Sequence, residues 1–188
     1  MAQSEIDAIR TLLGAKPRPV GWTERRQRLD EVGSVWPVAD DVKLIAVDAD
    51  GIPGEWSSVA GSDASRVLLF LHGGGYCSGS IRSHRRMVSE AGRAAKVRTL
   101  AIAYRLAPEH PFPAAVDDAL AAWFFLRQTG IAAAHIAIGG DSAGAGLTAA
   151  LINFLNATGE ELPTIFTSTA ASSCLTISSN AQPVRRCT

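Results

Sequence analysis

Apolar positions change their spacing several times along the chain, and each spacing predicts a different element. Ile6, Ile9, Leu12 and Leu13 recur at helical intervals behind the cap residue Ser4 and stop at Gly14, and a second short helix is expected after Thr23. Pro17-Arg18-Pro19 and the stretch from Gly33 to Pro37 separate these pieces from Val42-Lys43-Leu44-Ile45-Ala46-Val47, whose bulk and β-branching read as a strand. From residue 66 strand and helix alternate, with strands expected at 66–72, 98–104 and 134–139. The helices between and after them carry Met87, Val88, Ala91 and Ala95, then Val116, Leu120, Trp123 and Phe124 up to Gly130, then Ala143, Leu147, Ala150, Leu151 and Phe154 up to Gly159. This rhythm of βαβ units predicts an α/β fold with a mostly parallel sheet covered by helices on both faces. The chain divides into an appendage over 1–40, a core over 41–161 and a divergent tail over 162–188, rich in Ser and Thr, with one strand expected near Thr164 to Ala170.

Length and composition narrow the classes of function. A chain of 188 residues is one domain, and 47% apolar with 19% charged residues is the composition of a globular one. Eighteen basic against 18 acidic side chains leave no field to hold a phosphate backbone, so no nucleic-acid partner is expected. Runs such as Val67-Leu68-Leu69-Phe70-Leu71 are strand-sized, so no membrane span is expected. Met1-Ala2-Gln3-Ser4-Glu5 has no apolar h-region, and the cysteines Cys77, Cys174 and Cys187 are odd in number and irregular in spacing. Both point to reduced thiols and a cytoplasmic location.

Two motifs carry chemistry. Gly140-Asp141-Ser142-Ala143-Gly144 sets a serine between glycines at a strand-to-helix junction. A sharp turn there projects the hydroxyl above the sheet, small neighbours let helix and strand approach, and the helix start presents free N–H groups to a developing anion. His72-Gly73-Gly74-Gly75-Tyr76 directly follows the strand before it. Three glycines in succession cost backbone entropy, tolerated where N–H groups must be exposed to an oxyanion. An ordinary glycine-rich turn is the plain alternative for each motif, and it weakens when both fall on successive strands of one sheet.

Together with Tyr104-Arg105-Leu106-Ala107-Pro108-Glu109-His110-Pro111-Phe112-Pro113-Ala114-Ala115, these motifs resemble the bacterial hormone-sensitive-lipase-like (family IV) carboxylesterases over residues 65 to 157. The resemblance implies an α/β-hydrolase fold, no cofactor and no metal, and hydrolysis of small-molecule carboxylic esters with short acyl chains. It implies Ser142 as nucleophile and the N–H groups of Gly73, Gly74 and Ala143 as the oxyanion hole. His72, Gly75, Gly140, Asp141 and Gly144 would support the motifs, and the N-terminal helices over 1–40 would form part of a cap.

Other residues read more plainly. His72 orients its own loop, His84 and His110 are structural hydrogen-bonders, His135 is exposed, Arg105 pairs with Glu109, and Asp141 braces the serine turn rather than serving as the triad acid. Gly144-Ala145-Gly146-Leu147-Thr148-Ala149 fits the outline of a dinucleotide site, but Asp141-Ser142-Ala143 intervenes between strand and first glycine. In this fold the triad runs Ser, then Asp or Glu, then His, and after Ser142 the chain offers only Glu160 and Glu161 and no histidine. The expected family run is replaced by Ala171-Ser172-Ser173-Cys174-Leu175-Thr176. The expectation is therefore a hydrolase incomplete at its C-terminal side, nearly inactive by itself, and self-associating through an uncovered sheet edge beyond the strand ending at Gly139. A non-catalytic binding or interaction module on the same fold is the alternative.

Overall fold

A computed structural model describes the backbone of residues 3–163, 165–169 and 177–178. The expectations about Cys174, Cys187 and the run from Ala171 to Thr176 lie outside the described residues. Two helices, α1 (Gln3–Gly14) and α2 (Trp22–Gly33), precede a hairpin of β1 (Lys43–Asp48) and β2 (Pro53–Ser58). Then follow β3 (Asp63–Leu71), α3 (Ile81–Ala95), β4 (Val97–Ile102), α4 (Ala114–Gln128), β5 (Ile136–Asp141), α5 (Ala143–Thr158), β6 (Ile165–Thr169) and β7 (Ile177–Ser178). Among the described residues one sheet runs β1-β2-β4-β3-β5-β6-β7. Its centre, β4-β3-β5-β6, is parallel, and β2 and β7 join it antiparallel.

The two faces of β3 explain why both sides of the sheet carry helices. Val67, Leu69 and Leu71 point to one side, where Leu100, Ile102 and Ile138 join Trp123 and Leu126 of α4 and Leu147, Leu151 and Leu155 of α5 in one cluster. Phe70 points to the other, against Ala101 and Val88 of α3. The period of two in a strand thus divides one run of apolar residues between two cores.

Several sequence expectations change in detail. The buried line of α3 is Val88, Ser89 and Gly92, while Met87 and Ala95 are exposed. Gly92 sets this line, since a Cβ there would lie 2.6 Å from Thr99 Cγ2, so the helix sits close on β4. Strand β2 escaped the sequence reading because Pro53-Gly54-Glu55 carries little strand signal, yet its partners on β1 and β4 hold it in register. The strand carrying Gly139 is not the margin of the sheet: β6 pairs with it from Ala137↔Ile165 to Asp141↔Thr169, and β7 pairs with β6. No helix among the described residues is long and apolar enough to cross a membrane.

Candidate active site

Strand β5 ends at Asp141 and α5 begins at Ala143, so the whole change of direction falls on Ser142. Its backbone lies at φ 50°, ψ −117°, a conformation that costs a residue with a side chain about 1–3 kcal/mol unless its surroundings impose it. They do so through two glycines. A Cβ on Gly140 would lie 2.6 Å from the Gly144 carbonyl oxygen, and one on Gly144 would lie 2.8 Å from the His72 carbonyl oxygen and collide with that of Leu71. With both positions bare, α5 comes down onto the end of β3 and the Ser142 side chain is left exposed, with no capping hydrogen bond. The G-x-G-x-x-A outline beginning at Gly144 therefore lies inside the helix, its first glycine used for packing.

The loop after β3 runs beside this turn. Gly74 and Gly75 have φ 124° and 67°, which favours glycine at both. The carbonyls of His72, Gly73 and Gly74 are each held. Tyr104 Oη donates to the His72 carbonyl at 2.6 Å, and the His72 ring, through Nδ1, meets the Gly73 carbonyl at 2.8 Å. The Gly74 carbonyl accepts from the N–H of Cys77 and Ser78 and from Ser78 Oγ, at 3.3, 3.0 and 2.7 Å. Because a trans peptide points its N–H opposite its C=O, fixing the carbonyls of Gly73 and Gly74 fixes the directions of the Gly74 and Gly75 N–H groups.

The first glycine of the loop departs from the sequence expectation. The Gly73 N–H donates to Asp141 Oδ1 at 2.8 Å and so is occupied, whereas the N–H groups of Gly74 and Gly75 make no hydrogen bond to another described residue. Geometry decides this: Gly73 packs so closely on Asp141 that a Cβ would meet its carboxylate. Asp141 thereby ties the glycine loop to the residue before the serine. His84 Nε2 approaches the same carboxylate, 3.3 Å from Oδ1 and 3.4 Å from Oδ2, while its Nδ1 lies 2.8 Å from Ser83 Oγ. Burial raises the Asp141 carboxyl, but the His84 ring and the Gly73 amide outweigh it and hold it below its ordinary value.

His72 is buried, stacked on Tyr104 with ring centroids 4.2 Å apart and on His84 at 5.6 Å. Desolvation, only partly opposed by the Gly73 carbonyl, lowers it to about 4, so its neutral ring holds the loop at neutral pH. None of the four histidines, all within the described residues, hydrogen-bonds Ser142. His135 is exposed, and so is His110, whose ring takes no part in a described hydrogen bond. His110 borders a pocket of about 310 Å³ between α4 and α5, walled by Tyr76, Phe112, Val116, Leu147 and Ala150. Ser142, Gly146 and Ala150 succeed one another at i, i+4, i+8 on α5, and a Cβ on Gly146 would lie 2.6 Å from Tyr76 Oη. The pocket thus shares Ala150 with the helix stripe that runs from the serine, and Tyr76 borders both.

The ion pairs also depart from expectation. Arg105 binds Asp118, which is 2% exposed on α4, through Nη2 at 2.7 Å and Nε at 2.9 Å, and the Arg105 N–H reaches the same carboxylate at 2.7 Å. Glu109 turns instead to Arg26 of α2, with contacts of 3.0 and 2.7 Å. Distance along the chain hid this pairing: Arg26 is 83 residues from Glu109, and no local pattern marks it out from other helical arginines.

Comparison with known proteins agrees with this architecture. The sequence profile of the alpha/beta hydrolase fold matches residues 68–183. An acetyl-hydrolase of Streptomyces hygroscopicus is 37% identical over 172 residues, covering 87% of this chain and 55% of its own. An ethyl acetate hydrolase of Pseudomonas putida is 45% identical over 98 residues, 50% of this chain and 31% of its own. The crystal structure of an esterase from the bacterial hormone-sensitive lipase family superposes with TM-score 0.83 at 38% identity, covering 89% of this chain and 57% of that one. The chain thus spans about half the length, or less, of the relatives it matches. From the serine turn, the glycine loop and these likenesses together it follows that the chain belongs to the alpha/beta hydrolase fold family, among the bacterial hormone-sensitive-lipase-like esterases.

Proposed function

We propose that this site belongs to a serine hydrolase of short-chain carboxylic esters. Ser142 Oγ attacks the ester carbonyl carbon and the carbonyl oxygen takes up the negative charge. As the tetrahedral intermediate collapses, the alcohol leaves carrying the proton that Ser142 gave up to a general base, and an acyl-enzyme on Ser142 remains for water to hydrolyse. The N–H groups of Gly74, Gly75 and Ala143 receive the oxyanion, Ala143 standing at the start of α5 where the helix dipole adds to them. Gly73 supports the loop through Asp141. The observation that carries this reading is an exposed serine on a strained turn beside two amides whose directions are fixed and whose hydrogens have no partner among the described residues. The apolar pocket of about 310 Å³ has room for a short acyl or alcohol group, in keeping with relatives that are an acetyl-hydrolase and an ethyl acetate hydrolase.

The serine has no partner to take its proton among this chain's histidines, all four of which precede it. In a comparable serine hydrolase loss of the histidine costs about 2 × 10⁶ in turnover, so the 188-residue chain by itself is expected to turn over esters barely above background. That same observation favours the second reading, a non-catalytic binding module. A fluorophosphonate probe separates the two: slow covalent labelling at Ser142, abolished in Ser142→Ala, supports the hydrolase, and absence of any adduct at saturating probe supports the binding module. Recovery of p-nitrophenyl ester hydrolysis on mixing with a second chain would identify a base supplied from outside.

A further inference from the structure

The glycine loop is fixed within the sheet by Tyr104, His72 and Ser78, but its far end is fixed from α2. Arg26 Nε donates to the Cys77 carbonyl at 2.8 Å. Its Nη2 donates to the Ala107 carbonyl at 2.9 Å, and its guanidinium grips Glu109 with two bonds. These contacts join α2 to both the turn at 74–78 and the loop at 104–113. The last two also meet directly, the Ala107 N–H donating to the Tyr76 carbonyl at 2.9 Å. One turn further along α2, Asp30 accepts from Ser80 Oγ, the hydroxyl that caps α3. Helix α2 has no buried residue, and apart from the close approach of Gly33 to the Ser83 backbone it is held here by directed polar bonds. Such bonds fix orientation, where a greasy contact would allow sliding.

We infer that Arg26 is a positioning residue for the oxyanion loop. By holding the Cys77 carbonyl and, through Ala107, the Tyr76 carbonyl, it keeps the turn closed over Gly74, and that closure aims the Gly75 N–H. Glu109 keeps the guanidinium in place, which is the part played by the acid of the 104–113 motif. The N-terminal segment thereby acts on the site without touching the reacting atoms. The assignment rests on the reading of Ser142 given above for its catalytic consequence, though not for its effect on the loop.

The test compares the full chain with Arg26→Ala, Arg26→Lys and Glu109→Gln by amide hydrogen exchange and by the rate of Ser142 labelling with a fluorophosphonate. Arg26→Ala is expected to speed exchange at 74–78 about tenfold or more while β3 and β5 stay protected, and to lower the maximal labelling rate with little change in probe affinity. Arg26→Lys, which restores a donor but not the fork, is expected to fall between, and Glu109→Gln to show a weaker form of the alanine effect. Unchanged exchange at 74–78 would overturn the assignment. So would loosening that spreads equally to β3 and β5, which marks a general structural role, or a loosened loop with an unchanged labelling rate. Absence of labelling in the parent chain would count against the Ser142 reading alone, and loop exchange then decides the clamp.

Discussion

At the scale of single residues, the site is built from close approaches and one buried ring. Gly144 is the strictest position, because a methyl group there meets the end of β3 at the Leu71 and His72 carbonyls. Gly144→Ala is expected to cost about 2–4 kcal/mol in urea unfolding and to displace the start of α5, as overpacking against backbone does. His72 gives a pH signature. Its folded value of about 4 lies below the ordinary 6.5, so the unfolded chain binds a proton that the folded chain refuses. Its contribution is complete above pH 6.5 and declines by about 3 kcal/mol as pH falls toward 4. The neighbouring Asp141, held below its ordinary value, loses its contribution only at lower pH, as it is protonated in turn. Unfolding curves between pH 8 and 4 should show this decline in the parent chain and a flatter one in His72→Asn; equal slopes would show that another group is responsible.

At the scale of elements, α4 and α5 form one face of the core and set where the serine stands. Trp123 of α4 is 1% exposed and sits in the cluster with Leu69, Leu71 and Leu147. Trp123→Ala is expected to cost about 3–5 kcal/mol, read from the denaturant midpoint. The alternation of strand and helix from residue 66, the serine turn and the glycine loop were all legible in the sequence, because periodicity and glycine spacing are local properties. The engagement of Gly73 by Asp141, 68 residues apart, was not legible, and neither were the Arg105–Asp118 and Arg26–Glu109 pairings. Ion-pair partners are chosen by which elements fold side by side. Strand β2 was missed for the same reason: its place comes from β1 and β4 rather than from its own residues.

At the scale of the molecule, the core and the N-terminal segment are joined by different forces. The core is held by apolar burial on two faces of the sheet, whereas α2 and its cap residue Ser34 meet it through Arg26, Asp30 and Ser34, the last accepting from Arg82 Nε at 3.1 Å, and through the close approach of Gly33 to the Ser83 backbone. Removal of residues 1–40 is accordingly expected to cost about 1–3 kcal/mol, the worth of a few charge-assisted hydrogen bonds, and to leave the α/β circular dichroism intact. Loss of cooperative unfolding in the shortened chain would show instead that the segment is part of the core.

The residues by themselves determined that an α/β sheet forms, that a serine stands at a strand-to-helix turn, and that a run of glycines follows the preceding strand, since each depends on neighbours within a few positions. The tertiary structure decided that Asp141 takes the first amide of that run, which acid Arg26 and Arg105 hold, and that α2 reaches the loop beside the serine. Those outcomes depend on distances between segments far apart in the chain, and such distances exist only once the sheet has brought the segments together.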